Sequence, residues 1–222
     1  TWVLYNHDVV RHPSRFGLAG PTPQGAGIGP DDDQPDEQLG LRRARAASAF
    51  MLGLPGGAYI YQGEELGLPE HTTLEHEYRQ DPTYFRTNGE RVGRDGCRVP
   101  IPWEHDKPSF GFGTSGKSWL PQPEKFAEYA RDVQQGKEGS TLELYKKLLR
   151  VRKELNLGHG DFHWLEPLCT ESSLAFENSG VAVISNMGKP ITIPAGEILV
   201  TTQEGLVEGG ELTEDQTVWI KL

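Results

Sequence analysis

Trp2-Val3-Leu4-Tyr5-Asn6-His7-Asp8 sets four apolar or aromatic residues directly before a polar trio. Such a run predicts a short strand buried on both faces, as in a parallel sheet. The trio then stands at the strand's carboxyl end. In barrels of alternating strands and helices the catalytic residues sit at that end, because the strands form the packed core and only the loops that follow are free to vary. Asp8 is therefore the first candidate for a functional residue.

The same unit recurs downstream. A helix is predicted from Asp36 as cap to Leu52, with Leu39, Ala46, Ala49 and Phe50 on one face and Arg42, Arg43 and Arg45 mostly elsewhere. Gly53 and Pro55 end it. After Gly56-Gly57, Ala58-Tyr59-Ile60-Tyr61 forms a second short apolar strand, followed by Gln62-Gly63-Glu64-Glu65. Strand, helix and strand in this order form a crossover that makes the two strands parallel and puts both polar ends on one side.

Residues 9–36 form a long loop rich in Gly and Pro, a length usually tied to function or disorder. Its glycines do not make a nucleotide loop, since no strand precedes them and Pro30 with three aspartates follows. Asp31, Asp32, Asp33, Asp36 and Glu37 suit either a calcium ion or the amino end of a helix, and the helix lead-in is preferred. Residues 68–123 show no sustained period, and within them Gly93-Arg94-Asp95-Gly96-Cys97-Arg98-Val99-Pro100-Ile101-Pro102-Trp103 stands out. Small residues between arginines let a guanidinium approach a ligand closely, although Arg94 paired with Asp95 on a surface turn satisfies the same spacing.

A short helix is predicted from Pro123 to about Gln135. Ser140 and Glu143 then form a capping box for a longer helix to about Leu155, marked by Leu142, Tyr145 and Leu149. From Asp161 onward the texture changes. Ser173–Phe176, Val181–Ile184, Ile198–Val200 and Val218–Ile220 are short alternating stretches separated by Gly, Asn and Pro, the pattern of a small antiparallel β domain.

The formal net charge of -10 argues against nucleic acid as a partner, because binding there depends on Lys and Arg neutralising phosphates. No apolar run is long enough to cross a bilayer, and no secretory signal is visible at the amino terminus. Cys97 and Cys169 show no metal-ligand spacing and are expected as free thiols in a reducing, cytoplasmic setting. The chain opens on Thr1 inside an apparent strand, so further sequence is expected upstream.

Carboxylates at the ends of neighbouring parallel strands suit acid and base work on a sugar. A retaining glycosidase needs two of them about 5 Å apart, and spacing alone makes Asp8 and Glu64 eligible. The alternative is that Asp8 binds sugar hydroxyls while Glu64 bonds inside the barrel rim. His7 suits orienting Asp8, donating to a hydroxyl, or the role of a satisfied buried histidine. No Gly-x-Ser-x-Gly, His-Glu-x-x-His or phosphate loop is present.

Three blocks carry a resemblance: Asn6-His7-Asp8 with its continuation Val9 through Gly17, Leu54 through Gly67, and Gly93 through Trp103. Together with the helix near Ser140–Leu155 and the β tail, they make the chain similar to the carboxyl-terminal portion of an α-glucosidase of the α-amylase family of retaining glycoside hydrolases, actinobacterial members above all. The resemblance implies an α/β plus all-β fold class: the last strands of a (β/α)8 TIM barrel over residues 1–158, then a small antiparallel β-sandwich domain over 159–222. It further implies that Asp8 stabilises the transition state by gripping ring hydroxyls, that His7 hydrogen-bonds the same sugar, and that Arg94 closes the pocket around the non-reducing-end glucose. Glu64 becomes a structural rim residue.

The family's nucleophile and acid/base segments do not occur in this sequence, and a barrel needs eight strands and about 250 residues. The isolated chain is therefore expected to lack glycosidase activity, and to aggregate through exposed strand edges or be partly disordered. The function implied is exo-acting release of glucose from the non-reducing ends of small, maltose-like α-glucosides with retention. No cofactor is implied, and neither nucleic acid nor membrane is an expected partner. A transglycosylating or isomerising relative, and a non-catalytic sugar- or partner-binding homologue, are the competing readings.

Overall fold

A computed structural model describes residues 1–21 and 25–222. Thr22, Pro23 and Gln24 of the expected long loop lie outside the described residues. In chain order the helices are α1 His12–Arg15, α2 Glu37–Gly53, α3 Pro82–Arg86, α4 Phe126–Tyr129, α5 Arg131–Gln134 and α6 Thr141–Glu154. The strands are β1 Trp2–Val3, β2 Ala58–Tyr59, β3 His163–Trp164, β4 Ser173–Asn178, β5 Val181–Asn186, β6 Ile191–Thr192, β7 Glu197–Thr201, β8 Glu211–Leu212 and β9 Gln216–Lys221. Two compact units result: Thr1–Val3 with Arg42–Tyr59 and Leu144–Leu222, and Leu4–Leu41 with Ile60–Glu143.

In the first unit β1 and β2 pair in parallel, Trp2 opposite Ala58 and Val3 opposite Tyr59. The pairing direction is the predicted one, but each strand is two residues long and does not reach Tyr5 or Tyr61. Trp2, Val3 and Tyr59 are exposed instead of buried on both faces, since each strand has one neighbour among the described residues.

The antiparallel region is a five-stranded sheet in the order β3-β4-β5-β9-β7, with β6 and β8 paired separately. All four predicted stretches lie in its strands. Every residue of β5 is buried. Ala182 and Ile184 join Val218, Ile220, Ile193 and Leu212 in one apolar cluster, whereas Val183 meets α2. A Cβ at Gly53 falls 2.7 Å from Val183 Cγ2, so the helix ends on a residue without a side chain. Trp219 Nε1 donates to Ala49 O at 3.0 Å and Thr217 Oγ1 to Ala46 O at 2.9 Å, tying β9 to α2. The carbonyls at the carboxyl end of α2 lack helical partners. Asn178 Nδ2 donates to Gly53 O at 2.7 Å and Arg152 Nη1 to Leu52 O at 2.5 Å, which answers that need.

In the second unit Asp36 Oδ1 accepts the Leu39 N–H at 2.9 Å and caps α2 as predicted. The loop before it holds one helical turn, α1. The single helix expected from Pro123 to Gln135 is instead the pair α4 and α5, broken at Ala130 with ψ 145°. The break frees the N–H groups of Arg131 and Asp132 to donate to Pro102 O and Trp103 O, both at 3.1 Å, a tertiary demand that local propensity does not carry. At α6 the Glu143 N–H donates to Ser140 Oγ at 3.3 Å, but the Glu143 carboxylate takes the Gly136 N–H, so only half of the predicted capping box forms. Leu66, Leu68, Leu74, Val99, Ile101, Leu120, Phe126 and Leu142 form this unit's core.

Candidate active site

Arg11 is fully buried and ties three loop segments together. Its Nη1 donates to Gln62 O at 2.7 Å, and its backbone N–H donates to Glu70 Oε2 at 2.9 Å. Gly63 must be glycine here. It has φ 85°, and a Cβ would lie 2.7 Å from Arg11 Nη1. Glu64 is buried, with Oε2 accepting the Tyr61 N–H at 3.2 Å.

Asn6 Oδ1 accepts the Asp8 N–H at 2.8 Å in a local turn that sets the Asp8 backbone. The Asp8 side chain keeps 45% of its surface exposed. Its Oδ1 accepts Arg94 Nη1 at 2.6 Å and Arg98 Nη2 at 3.2 Å, and its Oδ2 lies 3.5 Å from His7 Nε2. The three predicted site residues, His7, Asp8 and Arg94, thus converge. His7 is itself exposed, and Arg98 Nε donates to its carbonyl at 2.9 Å.

Arg94 does not pair with Asp95. Its backbone N–H and its Nε both donate to Asp81 Oδ2, at 2.8 and 2.6 Å, and its Nη2 reaches Asp81 Oδ1 at 3.3 Å. Asp95 is buried and serves the backbone, with Oδ2 accepting the Gln80 and Asp81 N–H groups at 2.7 and 2.9 Å. Gly93, at φ 77°, permits the approach, since a Cβ there would lie 2.8 Å from Asp81 Cβ.

Partial desolvation pushes the Asp8 carboxyl upward, but the Arg94 hydrogen bond and the charges of His7, Arg94 and Arg98 outweigh it and hold the group below the usual carboxylate range. Desolvation likewise opposes ionisation of Asp81, and the bonds from Arg94 and Thr83 win by a wider margin. The hydrogen bond to Asp81 is the main reason the Arg94 guanidinium is held above its ordinary value. The outcome is a half-exposed carboxylate whose ionised form is favoured. In that form it can accept hydroxyl hydrogens and stabilise nearby positive charge.

Asp81 and Arg98 were not among the predicted site residues. Arg98 sits four residues after Arg94 in the singled-out segment, and Asp81-Pro82 carries only the signature of a helix cap. Of the acidic run considered for calcium, Asp32 Oδ2 closes a turn on the Gly29 N–H and Asp36 caps α2. His105, Asp106 and Asp132 bring their ligand atoms within 4.8 Å of one another at the surface, where His105 Nδ1 lies at hydrogen-bond distance, 2.8 Å, from Asp132 Oδ2. No helix among the described residues is long and apolar enough to cross a membrane.

The family description "Alpha amylase, catalytic domain" matches residues 1–160. The chain belongs to the α-amylase family. A probable α-glucosidase of Rhizobium meliloti (strain 1021) is 36% identical over 166 residues, which is 74% of this chain and 26% of that protein. An oligo-1,6-glucosidase of Parageobacillus thermoglucosidasius is 25% identical over 234 residues, 95% of this chain and 38% of that protein. Among solved structures, the α-glucosyl transfer enzyme XgtA aligns over 99% of this chain and 39% of its own, with TM-score 0.73 and 33% identity. A variant of the trehalulose synthase MutB shares the fold at TM-score 0.74 and 23% identity, over 100% of this chain and 43% of its own. The chain thus spans between 26% and 43% of the length of these proteins.

Proposed function

We propose that residues 1–158 supply part of the catalytic (β/α)8 barrel, and 159–222 an antiparallel β domain, of an exo-acting retaining α-glucosidase that releases glucose from the non-reducing ends of short, maltose-like α-glucosides. The observation that carries this reading is Asp8, a half-exposed carboxylate whose ionised form is favoured by two guanidiniums on a single oxygen. Oδ2 is left beside His7 for ring hydroxyls. A bond to hydroxyls that tightens as the sugar flattens, together with a fixed negative charge, favours the cation-like transition state. In this reading His7 donates to the same sugar, and Arg94 marks the closed end of the pocket. The nucleophile and the acid/base lie outside the residues assigned here.

Asp8→Asn in the complete protein tests the reading. The amide keeps the shape and removes the charge, so turnover on maltose is expected to fall by about 100-fold or more with the melting temperature little changed. Unchanged turnover removes Asp8 from the site.

The 33% identity to an α-glucosyl transfer enzyme across 99% of the chain favours a second reading, in which a sugar instead of water intercepts the glucosyl intermediate. Product analysis at high maltose concentration separates the two. Glucose alone identifies hydrolysis, and longer α-glucosides identify transfer.

A further inference from the structure

We infer that Asp81 is a positioning residue that aims Arg94 at Asp8; its kinetic consequence rests on the function proposed above, while its structural consequence does not. Asp81 is buried, its side chain has 0% of its surface exposed, and its carboxylate takes three N–H groups of Arg94. Because Nε and Nη2 are occupied by Asp81, the fork of the guanidinium is fixed in plane, and Nη1 is the nitrogen presented to Asp8 Oδ1 at 2.6 Å. Asp81 is itself braced at its backbone. Its own N–H and that of Gln80 are held by Asp95 Oδ2, and Asp95 directly follows Arg94 in the chain. Arg94 is thereby clamped at its backbone and at its head, although 29% of its side chain is exposed and a free arginine there would sample many rotamers.

Asp81 Oδ1 also accepts the Thr83 N–H at 2.8 Å and caps α3, so a helix-capping role has to be separated from aiming. The two roles need different chemistry. A cap needs one side-chain oxygen, whereas a fork needs a charged pair of them. Asp81→Ser keeps the first and loses the second, and Asp81→Asn keeps the shape of both and loses the charge.

The experiment uses the complete protein with both variants and two readouts. The first is the rate at which phenylglyoxal modifies Arg94, followed by mass spectrometry of the peptide. Both variants are expected to react several-fold faster than wild type, and a rate equal to wild type in Asp81→Ser overturns the inference. The second is kcat/KM on maltose, expected to fall between about tenfold and 100-fold in either variant, as misaimed groups do. On an Arg94→Ala background, adding Asp81→Asn should then change kcat/KM by less than about twofold, since the two residues act as one unit. Additive losses overturn the aiming role. If the wild-type protein turns over no α-glucoside, the proposed function fails, and the modification rates alone still decide the role of Asp81.

Discussion

Glu70 is buried, with Oε2 on the Arg11 N–H and its own N–H on Ser14 Oγ at 2.8 Å. Desolvation exceeds the help of Arg11 and Arg79 and pushes its carboxyl up to about 7. A carboxyl that holds its proton more tightly when folded stabilises the fold fully below its unfolded pKa, and the benefit is lost as pH rises through the folded value. Between pH 4.5 and about 7 the loss is up to about 3 kcal/mol. His71 works from the other side. Burial and Arg79 lower it to about 4, so its contribution is complete above the ordinary histidine value and is lost as pH falls toward 4. Glu70→Gln should therefore gain melting temperature relative to wild type on going from pH 5 to pH 8, and parallel pH profiles refute this. At the same scale, His7, Asp8 and Arg94 were legible because each lies in a contiguous motif. Asp81 and Arg98 were not, since their ion pairs join residues 13 and 90 positions apart and leave no local pattern.

Helix α2 was legible at both ends because punctuation residues do the work there: the Asp36 carboxylate at the start, and Gly53 against Val183 at the finish. The break between α4 and α5 was not, because it answers to the carbonyls of Pro102 and Trp103, more than 25 residues earlier. This difference ranks two substitutions. Asp36→Ala removes a cap from a water-accessible helix start and should cost about 1 kcal/mol. Asn178→Ala removes, from a fully buried position, the donor to both Gly53 O and Leu157 O, and two stranded carbonyls should cost about 3 kcal/mol. Urea midpoints of the two variants check the order, and an Asp36→Ala loss equal to or larger than that of Asn178→Ala contradicts it.

For the whole molecule, the sequence shows parallel strand pairing through the crossover and an antiparallel sheet through alternation, and the structure has both. Strand length was not legible, because a strand persists only where a neighbour continues the ladder and β1 and β2 have only each other among the described residues. That shortfall bears on activity. A (β/α)8 barrel closes with eight strands over about 250 residues, and retaining hydrolysis needs two carboxylates about 5 Å apart at its mouth. Here the exposed acidic group of the site faces cations, and Glu64 is turned inward to the Tyr61 backbone. Trp2, Val3 and Tyr59 meanwhile present apolar strand surface to solvent, a liability for a free chain. Produced alone, residues 1–222 should release no glucose from maltose and should elute partly as aggregate in size-exclusion chromatography. Under the function proposed above, the complete protein should release glucose and elute as a defined species. Glucose release by the isolated chain at a rate comparable to the complete protein would mean that the reacting carboxylates are among the residues described here, with Asp8 as the first to re-examine as a nucleophile.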